Sequence, residues 1–418
     1  MKVLEGIKVL DFGRFIAGPY CAALLADYGA DVIRIDRVEG GEDRYIVPVT
    51  EGGEGAMFLQ LNRNKRSMTL DLDSPQGREI VRKLVAGADV VIANMPPRTL
   101  KSLGLDYATL SGVNPGIILV ASNAFGDAEA VRDRVGFDGV GQALSGAVYM
   151  AGTPDQPQKA MVPVVDFATS FACALGTMLA LYERKRSGKG QEVSASLLCT
   201  GLNMASGALI EEALLGLDRQ ATLNRASGYA PSDIFKARDG WFITQVIGQA
   251  MFKRRTRLVE RPELFEDARF ADDRLRGEHG EVLSAIMSDW CGDKTLDEAL
   301  AQLEKARIPA GRVNSPRQAL EDETVRAANL IQWMDYPGAP GKVPIFSTPV
   351  SLSRTPPEIH RRAPLNGEHT EAILAELGVD ARAIADLRQR RSYSRHGHRD
   401  APNPASGRPA SAVHRAWP

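Results

Sequence analysis

Two short apolar runs, Lys8–Phe12 and Val32–Asp36, flank a helical stretch from Pro19 to Tyr28 that carries proline in its first turn and stops at Gly29. A strand, a helix and a strand in such close order predict parallel pairing, because a helical crossover carries the chain back to run in the same direction. The pattern continues. Ser74-Pro75 opens a helix to about Ala86, Val90–Asn94 reads as a third strand, and Ile117–Ser122 as a fourth. The N-terminal half is expected to be a Rossmann-like α/β domain on a parallel sheet.

After Asp166 the segment Phe167 to Arg186 has no proline and ends in a basic turn before Gly188, which predicts one long helix with a buried centre. Turn formers between Asn224 and Asp233 interrupt the pattern, and a more charged stretch from Gly240 to about Ala328 reads as a second, smaller domain. Pro337, Gly338, Pro340 and Gly341 read as a linker, and Thr370–Leu377 as a short helix. From Ser394 on, proline, arginine and serine dominate without apolar period, so this tail, with His396, His398 and His414, is expected to be disordered and to hold no metal.

Several function classes are excluded early. Of the 418 residues, 44% are hydrophobic and 25% charged, a soluble globular balance, and 51 Lys+Arg against 52 Asp+Glu leave no field to hold nucleic acid. Cys21, Cys173, Cys199 and Cys291 form no CxxC pair, which points to a reduced compartment without zinc. The start Met1-Lys-Val-Leu-Glu-Gly lacks the apolar core of a signal peptide. The nearly uncharged run Phe171–Tyr182 falls short of the roughly 20 residues a bilayer span needs. A cytoplasmic protein without membrane contact is expected. HExxH, GxSxG and Walker A sequences are absent, and Ser187-Gly-Lys-Gly190 reads as a helix end. The first strand-to-helix turn, Asp11-Phe-Gly-Arg-Phe-Ile-Ala-Gly-Pro19, is not GxGxxG, which disfavours NAD. No serine stands in a nucleophile context beside His279, His360 or His369.

Asp166 stands out, since it follows the apolar Val162-Pro-Val-Val165 and opens the long helix. One reading is an N-cap that accepts the backbone N–H groups of the first turn. The other is a carboxylate nucleophile, which divides an acyl transfer into two easier steps through a covalent intermediate. A helix N-terminus favours ionised carboxylate, so Asp166 is expected to be charged at pH 7.

Leu4-Glu-Gly-Ile-Lys-Val-Leu-Asp-Phe12, Ala17-Gly-Pro19, Leu25–Ile33, Asn62-Arg-Asn-Lys-Arg-Ser67, Leu70-Asp-Leu72, Val165-Asp-Phe-Ala-Thr169, Arg186–Gln191 and Pro364–Thr370 stand together in an order that resembles family III CoA-transferases, the formyl-CoA and carnitine CoA-transferase group. The resemblance implies a Rossmann-like large domain drawn from both chain ends, a small domain from the middle, and an interlocked-ring homodimer. The corresponding boundaries are 1–225 for the first part of the large domain, 226–335 for the small domain, 336–393 for the linker and return, and 394–418 for the tail. It also implies Asp166 as the nucleophile, and Ala17, Arg37, Leu70, Asp71, Asn94, Phe137 and Asp138 around bound coenzyme A. The implied substrates are an acyl-CoA donor and a carboxylic acid acceptor, with no permanently bound cofactor.

The chain departs from the family pattern at Ile16, where glutamine is common, at Asn94-Met-Pro-Pro97, and at Ser102, where some members place an arginine that Arg98 or Lys101 would replace. Asp-Ala-Glu-Ala after Phe125-Gly126 lacks the frequent Gly-Pro. The racemase branch of the superfamily pairs the aspartate with a histidine just before the counterpart of Asp138. Phe137 stands there and cannot accept a proton, which leaves 2-methylacyl-CoA racemase as the alternative enzyme and a non-catalytic CoA-binding protein as the alternative from another class.

Overall fold

The computed structural model describes residues 2–389 and residue 393; the expected disordered tail from Ser394 lies outside them. The chain divides into two compact units, one of Met1–Gly141, Val162–Asn203 and the chain from Asn329 on, the other of Gln142–Met161 and Met204–Ala328.

The first unit is built on a six-stranded sheet in which every pairing is parallel. Its strands are β1 (Lys8–Asp11), β2 (Asp31–Asp36), β3 (Arg66–Thr69), β4 (Val90–Ala93), β5 (Ile118–Asn123) and a sixth, Glu192–Ser196. The order is β3-β2-β1-β4-β5 followed by the sixth strand, so β1 pairs with β2 on one side and β4 on the other, through Val9 opposite Val32 and Val90. That reversal of strand order is the switch point of a doubly wound sheet, where ligands enter beyond the carboxyl ends. The expected third and fourth strands are β4 and β5. The edges, β3 and Glu192–Ser196, went unread, because Arg-Ser-Met-Thr and Glu-Val-Ser-Ala-Ser carry no continuous apolar run: the latter is half exposed, and β3 buries the polar Ser67 and Thr69.

Two apolar layers cover the sheet. Cys21, Ala22, Leu25 and Ala26 of helix α1 (Ala17–Asp27) pack with Val9, Val32, Val90, Ile118 and Cys173. Ile80, Val81 and Leu84 of the helix Pro75–Ala86 cover the other face with Leu10, Ile35, Met68, Leu119 and Leu374. Ser74 caps the latter helix, accepting from Gly77 N at 3.0 Å. The long helix runs Val164–Ser187 with Gly188 in the left-handed conformation. By length and hydropathy it passes for a bilayer span, since its apolar character extends beyond 171–182. In the fold, however, its Asp166, Thr169, Ser170, Cys173 and Thr177 face is buried.

The C-terminal segment returns to this unit, as the resemblance implied. Asn64 Oδ1 accepts from His360 N and Arg361 N, both at 2.9 Å, while its Nδ2 donates to Glu358 O at 2.7 Å. Ser67 N donates to His369 Nδ1 at 3.2 Å and Thr69 N to Thr370 Oγ1 at 3.1 Å. The Asn62–Ser67 motif is thus a structural seam. Pro337–Gly341, expected as a linker, is the turn between the antiparallel strands Ile331–Met334 and Val343–Phe346. Tyr336 and Ile345 there pack on Phe58 and Leu59, so the turn formers serve a hairpin.

The second unit has an antiparallel sheet, Ser232–Ala237, Gly240–Gln245 and Ala310–Arg312. Phe235 and Phe242 pack with Phe252, Leu283, Met287 and Leu303 from helices on one face. It includes 142–161 and starts again at Met204, whereas the sequence reading placed a small domain at 226–335.

Candidate active site

A cavity of about 900 Å³ opens within the first unit beyond the carboxyl ends of the strands. It is lined by Ala17 of α1, Arg37 after β2, Leu70 and Asp71 after β3, Asn94 after β4, Asn123 of β5, Phe137 and Asp166. The structure therefore gathers seven of the eight sequence-derived candidates around one space. Asp138 stands just behind the wall, 8% exposed and hydrogen-bonded to the start of the long helix.

The turn after β1 is clamped by Asn94. Arg14 N donates to Asn94 Oδ1 and Asn94 Nδ2 donates to Arg14 O, both at 2.6 Å. The amide expected to meet coenzyme A is thus committed to the turn. Gly18 allows this approach, since a Cβ there would stand 3.2 Å from Asn94 Oδ1. The clamp also holds Phe15 at φ +60°, a conformation costly for a residue with a side chain, and presents its ring edge-on to Phe137 at 5.1 Å. Leu70 is buried with its N–H on Asp36 O, and Asp71 accepts from Asp73 N at 3.1 Å, so both shape the wall through local hydrogen bonds.

Cationic side chains that line the cavity are Arg14, Arg37 and Arg134. Arg37 and Arg134 are exposed at the rim, Arg134 with its guanidinium 4.5 Å from the Phe125 ring. Arg14 lies half-buried, 3.5 Å from Asp36. Burial works against a charge on Asp36, but Arg34 above all, with Arg14 and Arg44, holds its carboxyl well below the usual range. Sequence reading missed Arg14 and Arg134; an arginine inside the β1 turn was the available signal for the first. Arg98 and Lys101, expected to replace an arginine at Ser102, are not among the lining residues. Thr99 and Leu103 of the same helix are.

Asp166 is the one carboxylate lining the cavity that is buried, at 7% exposure; Glu39, Glu42 and Asp73 are exposed and Asp71 is intermediate. It is not an N-cap. The helix begins at Val164, which places Asp166 in the third helical position. The capping acceptor is Asp138, whose Oδ1 takes the N–H groups of Val165 at 2.7 Å and Asp166 at 3.1 Å. The Asp166 carboxylate is pushed up to about 7, by burial first and the Asp138 charge second, against a hydrogen bond from the Asp138 backbone N–H. Burial and the Asp138 charge thus work against the ionised form that was expected at pH 7. The donors that should have stabilised it serve another carboxylate.

Comparison with known proteins gives this geometry a family. The family model for CoA-transferase family III matches residues 4–370. The chain is a family III CoA-transferase. It is 32% identical over 400 residues to succinyl-CoA–D-citramalate CoA-transferase of Chloroflexus aurantiacus, covering 93% of this chain and 98% of that one. It is 33% identical over 383 residues to succinate–glutarate CoA-transferase of Agrobacterium fabrum, covering 90% and 95%. A solved structure of a CAIB/BAIF family protein from Brucella suis superposes with a TM-score of 0.78 at 32% identity, over 90% of this transferase and 99% of that chain. A CoA-transferase takes a CoA thioester as donor and a carboxylate as acceptor.

Proposed function

We propose that this transferase moves coenzyme A from succinyl-CoA to a second carboxylic acid through covalent intermediates on Asp166. The observation that carries the reading is a buried carboxylate, alone of its kind in the wall of a cavity large enough for a CoA thioester. A succinyl donor fits the activities for which these relatives are named. An Asp166 carboxylate oxygen attacks the thioester carbonyl, the C–S bond breaks, and CoA leaves as thiolate from a mixed succinyl–aspartyl anhydride. The thiolate then attacks the aspartyl carbonyl and expels succinate, leaving an enzyme–CoA thioester. The acceptor carboxylate attacks that thioester, and the released thiolate takes the acceptor acyl group, restoring Asp166. Burial supports each step by keeping water from the anhydride. Arg37 and Arg134 at the rim suit CoA phosphates. Incubation with succinyl-CoA and a panel of dicarboxylic, hydroxy and aromatic acids tests the transfer: new CoA thioesters are expected, and an intact donor with every acid overturns it.

Phe137 bears on the racemase alternative, because its ring faces Phe15 and offers no proton acceptor. In D2O the transferase is expected to leave the α-proton of 2-methylacyl-CoA in place. Deuterium uptake at turnover rates would return the chain to the racemases.

The same reading takes the working form to be a cytoplasmic homodimer of interlocked rings. Phe171, Leu175, Met178, Leu179 and Tyr182 line an exposed apolar stripe on the long helix, with Tyr182 69% exposed, as a surface covered by a second copy would be. Threaded rings do not separate without unfolding, so light scattering is expected to give a two-chain mass at every dilution; a folded monomer overturns it.

A further inference from the structure

We propose that Asp138 is a positioning residue for the nucleophile: its carboxylate takes the N–H groups at the start of the long helix, so that the Asp166 side chain does not cap its own helix. This rests on Asp166 being the nucleophile. The two aspartates are locked reciprocally. Asp138 Oδ1 accepts from Val165 N and Asp166 N at 2.7 and 3.1 Å, and the Asp138 backbone N–H donates to the Asp166 carboxylate. Both side chains are buried, at 8% and 7% exposure, and each stands at the start of a helix, Asp138–Leu144 and Val164–Ser187.

An aspartate in a first helical turn ordinarily spends its oxygens on backbone donors and loses nucleophilicity with them. Here another carboxylate takes the helix's own donors at Val165 and Asp166, and the backbone donor that reaches Asp166 is the N–H of Asp138. That carboxylate brings a second consequence, since the charge of Asp138 works against the ionised form of Asp166. The long helix contributes Thr169 and Ser170 near Asp166, both hydrogen-bonded to its own carbonyls at Val165 and Asp166. From the elements packed against that helix start come Tyr20 of α1, set edge-on to Phe167, and Val165's apolar neighbours Ala124 and Leu197. Around the cavity the charged groups are Arg14, Arg37, Arg134, Glu39, Glu42, Asp71 and Asp73. Asp138 is the charged side chain that acts on Asp166 at this range. Asp138 thus raises the proton affinity of the attacking oxygen, and with it the nucleophilicity of the ionised form, and sets an acidic limit on turnover.

The test is the pH profile of kcat/KM for succinyl-CoA in wild type, Asp138→Asn and Asp138→Ser. Asn keeps the accepting oxygen and removes the charge; Ser keeps a shorter neutral cap. Both variants are expected to move the acidic limb down by about one pH unit, so that their activity at pH 6, relative to their own plateau, exceeds the wild-type ratio several-fold. An unmoved limb in folded variants, or a loss uniform across pH, overturns the role. Hydroxylamine trapping of wild type with succinyl-CoA separates this from the parent reading. Label on Asp166 with an unmoved limb overturns Asp138 alone, and label on another carboxylate overturns the nucleophile assignment and this inference with it.

Discussion

Asp166→Ala and Asp166→Asn are expected to fold, to bind coenzyme A, and to lose transfer by several orders of magnitude, the scale seen when the covalent step of a multi-step reaction is removed. The two variants should differ in stability. Wild-type Asp166 binds its proton more tightly folded, at about 7, than the ordinary 3.8, so the folded state carries more protons between these values and stability falls as pH rises through that window. A shift of about three units corresponds to an upper bound of about 4 kcal/mol lost by pH 8. Asn has the same shape and nothing to ionise. Asp166→Asn is therefore expected to melt several degrees above wild type at pH 8, with the gap closing as pH falls towards 4, while Ala adds the cost of a small void. Near-normal transfer by either variant, or no pH-dependent gap in melting temperature, would contradict the assignment.

The second large effect is structural. Asp27, fully buried, receives Arg63 Nη2 at 2.6 Å and Asn64 Nδ2 at 2.9 Å, with Thr348 Oγ1 as a third donor. Arg63 also reaches Gln60 O at 2.6 Å. Removing one member of a buried ion pair strands the other without water, which costs about 3–5 kcal/mol. Arg63→Ala is expected to fall in that range by urea unfolding, and Arg63→Lys to recover part of it, as a point charge replaces a fork. A loss under about 1 kcal/mol for Ala would show that Asn64 and Thr348 suffice.

The centre of the sheet was legible because β1, β2, β4 and β5 are covered on both faces and carry short apolar runs, with the buried Arg34 and Asp36 of β2 paired to each other. Its edges were not, since Arg66 and Glu192 belong equally well to loops. The cavity residues were named through the resemblance to the family, and in the fold Arg37, Leu70, Asp71 and Asn94 follow strands at one end of the sheet. What each side chain does was harder to read. Asn94 binds Arg14, the Asn62–Ser67 motif holds the C-terminal return, and Asp138 takes the capping role that spacing alone gave to Asp166. These are pairings between residues 28 to about 300 apart, and no local pattern encodes them.

The seam between Asn64–Thr69 and the segment 358–370 also sets a timetable for biosynthesis. Its hydrogen bonds join residues 294 to 302 positions apart. At roughly 5–20 residues per second on the ribosome, Asn64 waits about 15–60 s for its partners to be made. During that wait the nascent sheet has an uncovered β3 edge, a site for wrong pairing, while the second unit, encoded in between, has all its own core residues in hand. A message cut short before codon 358 would thus yield a chain with every cavity residue present and no means of closing the sheet behind them, a natural substrate for degradation.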